Sequence, residues 1–375
     1  MRPYEIAMLI EQVLGHVTYT LNLYDSIARD REIHARWAPL TWDGGALPPW
    51  LPLSGNWTVR AGLQARRALA AMAHDGAPDV LFFHTQVPAT LALDWLRRIP
   101  SVISLDATPR QYDEIGQRHG HARGAEPLER LKGALHRAVF QAAGHLVTFS
   151  AWAKQSLVED YGVPDEKITV NPPGVVLRDW ARPTPRGPHD GPVRVLFVGG
   201  AFEAKGGMLL LEAFRALRAE RIELHLVTSE PPPPEPGLFV YTGLRPNAPE
   251  LRRLYHDCDV FCLPSASDVS PFVLMEAAAA GLPAISTPIA GIREIVRAGE
   301  TGLFVPVDDL PALTDALRRL IHRPEERLAM GERAAALARE RFDAERNSRR
   351  LLAVLKRLAG RRHAAGGEAS GEVRV

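Results

Sequence analysis

Seven short apolar runs, none broken by regular polar alternation, set the limits on how this chain can fold. They are PDVLFFH (78–84), PSVISLD (100–106), HLVTFS (145–150), VRVLFVGG (193–200), IELHLVT (222–228), DVFCLPS (259–265) and PAISTP (283–288), and stretches with helical periodicity separate them. Continuous apolarity suits strands covered on both faces, which implies parallel sheets with helices between the strands. The fold class is therefore α/β. The segment LRDWARPTPRGPHDGP (177–192) has no periodicity and is dense in Pro, Gly and charge, and a fresh strand-turn-helix series follows it. A boundary placed there gives two domains, 1–185 and 190–345. Residues 346–375 are then left as a helix end and a disordered tail of Gly, Ala and charge.

Composition narrows the function classes. The 375 residues are 46% hydrophobic and 24% charged, enough apolar material for two cores. Lys plus Arg (45) nearly balance Asp plus Glu (44), so the net charge of +1 leaves no electrostatic footprint for nucleic acid. The two cysteines, Cys258 and Cys262, have no His beside them and read as small core residues rather than a disulfide framework or a zinc site. The N-terminal apolar run is interrupted by Glu11 and Gln12, and eighteen uninterrupted apolar residues occur nowhere, so a reduced, cytosolic location is expected. The basic cluster KRLAGRRH near the C-terminus reads either as a solvated helix end or as a weak peripheral contact with anionic lipid at the inner membrane face. PPPPEPG (231–237) reads as a stiff surface loop. The tryptophan-rich stretch 37–57 is either a packed loop or an aromatic lip for an acceptor.

The stretch PSASDVSPFVLMEAAAAGLP (264–283) carries the clearest chemistry. It reads as the end of a strand, a loop and a helix over 271–280, with Ser270 as N-cap, Pro271 as first helical residue and Gly281 as the stop. Asp268 then lies in the loop at the carboxyl end of a parallel strand, and Glu276 in the second turn of the helix. The free amides and positive dipole end at Ser270, Pro271, Phe272 and Val273 suit a phosphate in the crevice where doubly wound sheets place ligands. A phosphate flanked by two hydroxyl acceptors points to a nucleotide sugar. The alternative is that Asp268 only caps its loop and Glu276 is an exposed helix residue. In VRVLFVGGAFEAKGGMLLLEAFRAL (193–217), Gly199 and Gly200 allow close backbone approach, and Lys205 supplies a point charge for phosphate. The segment is neither G-x-G-x-x-G nor a Walker A loop, which disfavours dinucleotide and P-loop readings.

Taken in order, VGGAFEAKGGMLLLEAF and TGLRPNAPELRRLYHDCDVFCLPSASDVSPFVLMEAAAAGLPAISTPIAGIREIVRAGETGLFVPVDD resemble the donor domain of family-four retaining glycosyltransferases with the GT-B fold. HLVTFSAWAKQSLVEDYGVPDEKITVNPPGVVL (145–177) resembles that family's last N-domain segment. The resemblance implies two Rossmann-like domains facing across a cleft, the first holding an acceptor and the second a nucleoside-diphosphate sugar. It also implies two glutamates on the donor with seven residues between them, one near the sugar and one on the ribose, roles that fall to Asp268 and Glu276. Asp268 stands where the family has Glu, one methylene shorter. Gly200 stands where the family has a phosphate-binding Arg, so that contact is missing or supplied from elsewhere. Asp106 stands where many members have a His near the reacting sugar, and it either serves the sugar or caps the next turn. EQVLGHVTYTLNL (11–23) takes the place of the family's glycine loop, with Gly15 and His16 candidates for donor, phosphate or acceptor contact. His84 and Glu294 are further cleft candidates, each with an ordinary structural reading beside it.

The expected function is a retaining, metal-independent hexosyltransferase without cofactor. It would move a sugar from a nucleoside diphosphate to a glycan, lipid-linked or small-molecule acceptor, with Asp106, Lys205 and Asp268 nearest the chemistry. The alternatives are an epimerase or phosphorylase-like enzyme on the same frame, or a nucleotide-sugar-binding protein without turnover.

Overall fold

The computed structural model describes residues 2–12, 15–43, 54–116, 124–184 and 186–371, the backbone alone beyond Arg362. Its strands are β1 (Tyr4–Glu11), β2 (Ile33–Leu40), β3 (Val80–His84), β4 (Ser101–Leu105), β5 (His145–Thr148), β6 (Ile168–Val170), β7 (Val193–Val198), β8 (Ile222–Val227), β9 (Leu238–Tyr241), β10 (Val260–Leu263), β11 (Ala284–Ser286) and β12 (Gly302–Phe304). They form two six-stranded sheets, ordered β2-β1-β3-β4-β5-β6 and β12-β11-β10-β7-β8-β9. Every pairing between them is parallel. The expected apolar runs hold seven of these strands, and β3, β4, β5 and β10 are buried along their whole length, as helices on both faces require.

The chain divides into two compact units. The first comprises Met1–Asp113, Ala122–Pro173 and Glu345–Val375, and the second Gly174–Ala344 with Glu114–His121. The main division thus falls at Gly174 rather than at 185–190. The reason is packing: Val175 and Trp180 lie in the core of the second unit, and Val175 N donates to Phe342 O at 2.9 Å. The expected helix end belongs to a long helix, which runs over Ala344–Gly371. Leu351, Leu352, Leu355, Leu358 and Ala359 recur at helical spacing and are buried, so this helix joins the first unit. Within the basic cluster, Lys356 is held by Asp30 at 2.7 Å and by Glu32.

The order within each sheet fixes where ligands lodge. In the first, β1 lies between β2 and β3, so successive connections leave it in opposite directions; in the second, β7 lies between β8 and β10 in the same way. These are topological switch points, and the crevice outside the carboxyl ends of the two strands that part there is the usual ligand position. Local sequence starts the flanking helices. Asn56, Ser150 and Asp309 cap the helices Trp57–His74, Ala151–Glu159 and Leu310–His322, each accepting an amide three residues on. PPPPEPG is irregular chain between β8 and β9.

Candidate active site

At the switch point of the second unit, the loops leaving β7 and β10 are drawn together. Lys205 Nζ donates to both carboxylate oxygens of Asp268, at 2.7 and 2.9 Å. Two glycines make this possible. A Cβ on Gly199 would sit 2.7 Å from Lys205 Cδ, so the absent side chain is the space the lysine stem occupies. Gly206 has φ of +78°, and a Cβ there would lie 2.3 Å from Pro264 O, so only glycine lets the two loops meet. Gly200 is in open surroundings, and its carbonyl accepts Ser229 Oγ at 2.7 Å.

The helix after this loop runs over Phe272–Ala279, one residue shorter at each end than expected. Pro271, not Ser270, is its N-cap residue, and among the described residues no side chain caps the helix. The first-turn amides at Phe272 and Val273 therefore remain available to an anion. Glu276 is not an exposed helix residue: it is 3% exposed, and Tyr255 Oη donates to its Oε2 at 2.9 Å. Burial raises its pKa from the ordinary 4.5 to about 7, the tyrosine bond opposing. Tyr255, which sequence reading passed over, is itself buried between Trp180, edge-on at 5.1 Å, and Phe261, stacked at 5.5 Å. Asp268 and Glu276 have separate partners, as their different elements suggested, and Asp268 holds Lys205 rather than capping its own loop. Glu294, in the short helix Ile292–Ile295, meets Arg341 Nη2 at 3.4 Å.

The switch point of the first unit gathers a second set. His84 ends β3 wholly buried, with Nδ1 3.2 Å from Ser104 O and, among the described residues, no partner for Nε2. Burial holds its pKa well below the usual histidine value. His16 begins the helix His16–Ala28 and packs edge-on against His84, ring centroids 4.6 Å apart. Gly15 precedes it with φ −67° and ψ −10°, open to any residue, so a glycine-only backbone is not what this position supplies. Asp106, just past β4, accepts the amide of Ala107 at 2.9 Å, which is the local turn contact. Sequence reading missed Glu11. It is the last residue of β1 and 2% exposed, and it takes Trp57 Nε1 at 2.8 Å and Thr85 Oγ1 at 3.0 Å. The tryptophan-rich stretch thus contributes a polar anchor through Trp57, while residues 44–53 lie outside the described set. Also among the described residues, no group of three His, Cys, Asp or Glu is assembled as a metal set, and no helix is long and apolar enough to cross a membrane.

Two parallel-sheet, Rossmann-like units, one with a lysine, an uncapped helix start and a buried carboxyl at its switch point, define a GT-B type fold. Comparison with known proteins agrees. Residues 192–323 match the model for glycosyl transferases group 1, and residues 15–179 the model for glycosyltransferase family 4. A glycogen synthase of Mycobacterium tuberculosis is 28% identical over 315 residues, covering 80% of this chain and 73% of that one. Sucrose-phosphate synthase from Thermosynechococcus elongatus superposes with a TM-score of 0.74 at 17% identity, covering 96% of this chain and 99% of the other. Anabaena HepE, solved in complex with UDP-glucose, superposes with a TM-score of 0.65 at 17% identity over 94% and 99% of the chains. The chain belongs to the group 1, family 4 glycosyltransferases, and it is an enzyme of the hexosyltransferase type.

Proposed function

We propose that this glycosyltransferase moves a hexose from a nucleoside diphosphate to a hydroxyl-bearing acceptor, with retention at the anomeric carbon and without a metal. The observation that carries the reading is the Lys205–Asp268 pair at a switch point, followed eight positions on by the buried, weakly acidic Glu276. That HepE is described with UDP-glucose supports a nucleoside-diphosphate donor.

In this reading the diphosphate takes Lys205 from Asp268 and rests on the Phe272 and Val273 amides. Asp268, released, accepts a sugar hydroxyl, and Glu276 accepts the ribose hydroxyls. The bond from the anomeric carbon to the phosphate oxygen breaks, and the acceptor oxygen bonds on the same face. The departing phosphate oxygen takes the acceptor proton. Negative charge grows on the diphosphate as this happens, and the lysine with the helix dipole stabilises it without a metal ion. Asp106, just past β4 in the first unit, is the further carboxylate this reading assigns to the chemistry. Protein groups alone hold the donor, and no further cofactor takes part. A cytoplasmic location fits the two buried free thiols, Cys258 and Cys262.

Thermal-shift titration with uridine, guanosine and adenosine diphosphate sugars tests the donor assignment. One of them should raise the melting temperature, and Glu276→Ala should abolish that rise. A wild-type protein that ignores all three would refute the reading. Nuclear magnetic resonance of the product's anomeric proton then reads the stereochemistry.

A further inference from the structure

The first unit has a switch point of its own, between β1 and β3, and what lies there is more than packing. The register pairs Ile10 with His84, so Glu11 and Thr85 emerge side by side at the carboxyl ends of the two strands. A carboxylate left in such a buried position needs donors, and Glu11 has neutral ones, an indole N–H, a threonine hydroxyl and the Thr85 amide. The indole bond falls on Oε1 and the hydroxyl bond on Oε2, which fixes the carboxylate plane. His16 Nδ1 faces Oε2 at 3.6 Å, just beyond hydrogen-bond length, and is buried with no hydrogen-bond partner among the described residues. The main chain of His16 is tied down, its carbonyl accepting Thr20 Oγ1 at 2.9 Å while Thr20 Oγ1 accepts Gln12 Nε2 at 2.8 Å, and His84 closes one side of the ring. Yet 16% of the His16 side chain stays exposed, whereas Glu11 and His84 are sealed.

We propose that Glu11 is a positioning residue: it keeps the proton of His16 on Nδ1 and so turns the Nε2 lone pair outward to receive a hydroxyl of a sugar or other polyol acceptor. A neutral histidine has one donor and one acceptor nitrogen, and the group facing one nitrogen decides the other. A carboxylate facing Nδ1 demands N–H there. The outward nitrogen is then an acceptor, which suits an alcohol O–H and not a phosphate or carboxylate. His84 takes the same tautomer if its Nδ1–H donates to Ser104 O, so it contributes a neutral wall and no competing positive charge. The assignment rests on the transferase reading for its ligand class, but the tautomer itself does not.

The test uses the full chain with ¹⁵N-labelled histidine. Multiple-bond ¹H–¹⁵N spectra at neutral pH read the tautomer of His16, assigned by loss of its signals in His16→Gln. The wild type should show Nδ1–H. Glu11→Gln should move His16 toward the Nε2–H form. A conservative Glu11→Asp variant should restore Nδ1–H in part. Titration with methyl α-glucoside should shift the Nε2 signal in the wild type and not in Glu11→Gln. His16 found as Nε2–H in the wild type, or unchanged in Glu11→Gln, would overturn the proposal, and so would an Nε2 signal indifferent to the glucoside. If Glu11→Gln fails to fold, Trp57→Phe removes one donor and keeps the carboxylate; it should retain Nδ1–H, and loss of that tautomer would count against Glu11 as its cause. Uridine diphosphate affinity, read in parallel, separates the two hypotheses: Glu11→Gln should leave it within about twofold, or about 0.4 kcal/mol. A wild type that binds no nucleotide but keeps the tautomer would sink the transferase reading alone.

Discussion

Replacing Glu276 by Gln should make the protein more stable and a worse nucleotide binder at the same time. The folded-state pKa of about 7 lies above the ordinary 4.5, a gap of roughly 2.5 pH units. Below pH 4 both the folded and the unfolded chain hold the proton, and nothing is lost. As the pH rises from 4.5 towards 7 the unfolded chain releases it and the folded one does not, so stability falls through this window and levels off above pH 7. At 1.36 kcal/mol per pH unit the full loss is about 3 kcal/mol, an upper figure, since Gln must also find a partner for its NH₂. The Gln variant carries no such term. Its advantage in urea unfolding should be near zero at pH 4 and approach about 3 kcal/mol at pH 8, with Tyr255 Oη still donating to the amide oxygen. Nucleotide affinity should move the other way, weakening about 10- to 100-fold as one charge-assisted bond to the ribose is lost. A variant less stable than wild type at pH 8, or one whose difference from wild type does not change with pH, would refute the reasoning about the buried carboxyl. Unchanged affinity would refute the ribose role.

Three further outcomes are expected. Lys205→Ala should lower kcat about 100-fold, the size of a lost transition-state charge contact, while circular dichroism shows the fold intact; a drop under fivefold would contradict a phosphate role. Gly199→Ala places a methyl 2.7 Å from Lys205 Cδ and should displace that side chain, weakening nucleotide binding in calorimetry with a melting temperature within a few degrees of wild type. Gly206→Ala must adopt φ of +78° with its Cβ 2.3 Å from Pro264 O, so it should cost at least about 1–3 kcal/mol in chemical denaturation, and a neutral result would mean the two loops are not in contact.

The sequence exposed most of the central strands and the loop-helix site, because those elements are continuous in the chain and carry their own stop signals. It hid β2, IHARWAPL, whose polar residues interrupt the apolar run, and β9, an edge strand of which no residue is fully buried. β1 was passed over for a related reason. Its apolar run ends in a charged residue, and Glu11 was read as an interruption rather than as the last position of a strand. Strand assignment would have placed it at the carboxyl end of a parallel sheet, where a polar residue is a ligand candidate. The partners of Glu276 and Glu11 were invisible for a different reason: Tyr255 lies 21 positions from Glu276, and Trp57 lies 46 from Glu11, so only the folded chain joins them. Asp268 and Lys205, 63 apart, were each singled out by local chemistry, but that they bind one another was not.

The most direct test is a crystal structure grown with the nucleoside diphosphate that gives the largest thermal shift. In it Lys205 Nζ should have left Asp268 for a phosphate oxygen, the Phe272 or Val273 amide should donate to the same diphosphate, and a ribose hydroxyl should lie on Glu276. A nucleotide bound elsewhere, or one bound with the Lys205–Asp268 pair still closed at 2.7 Å, would contradict this reading.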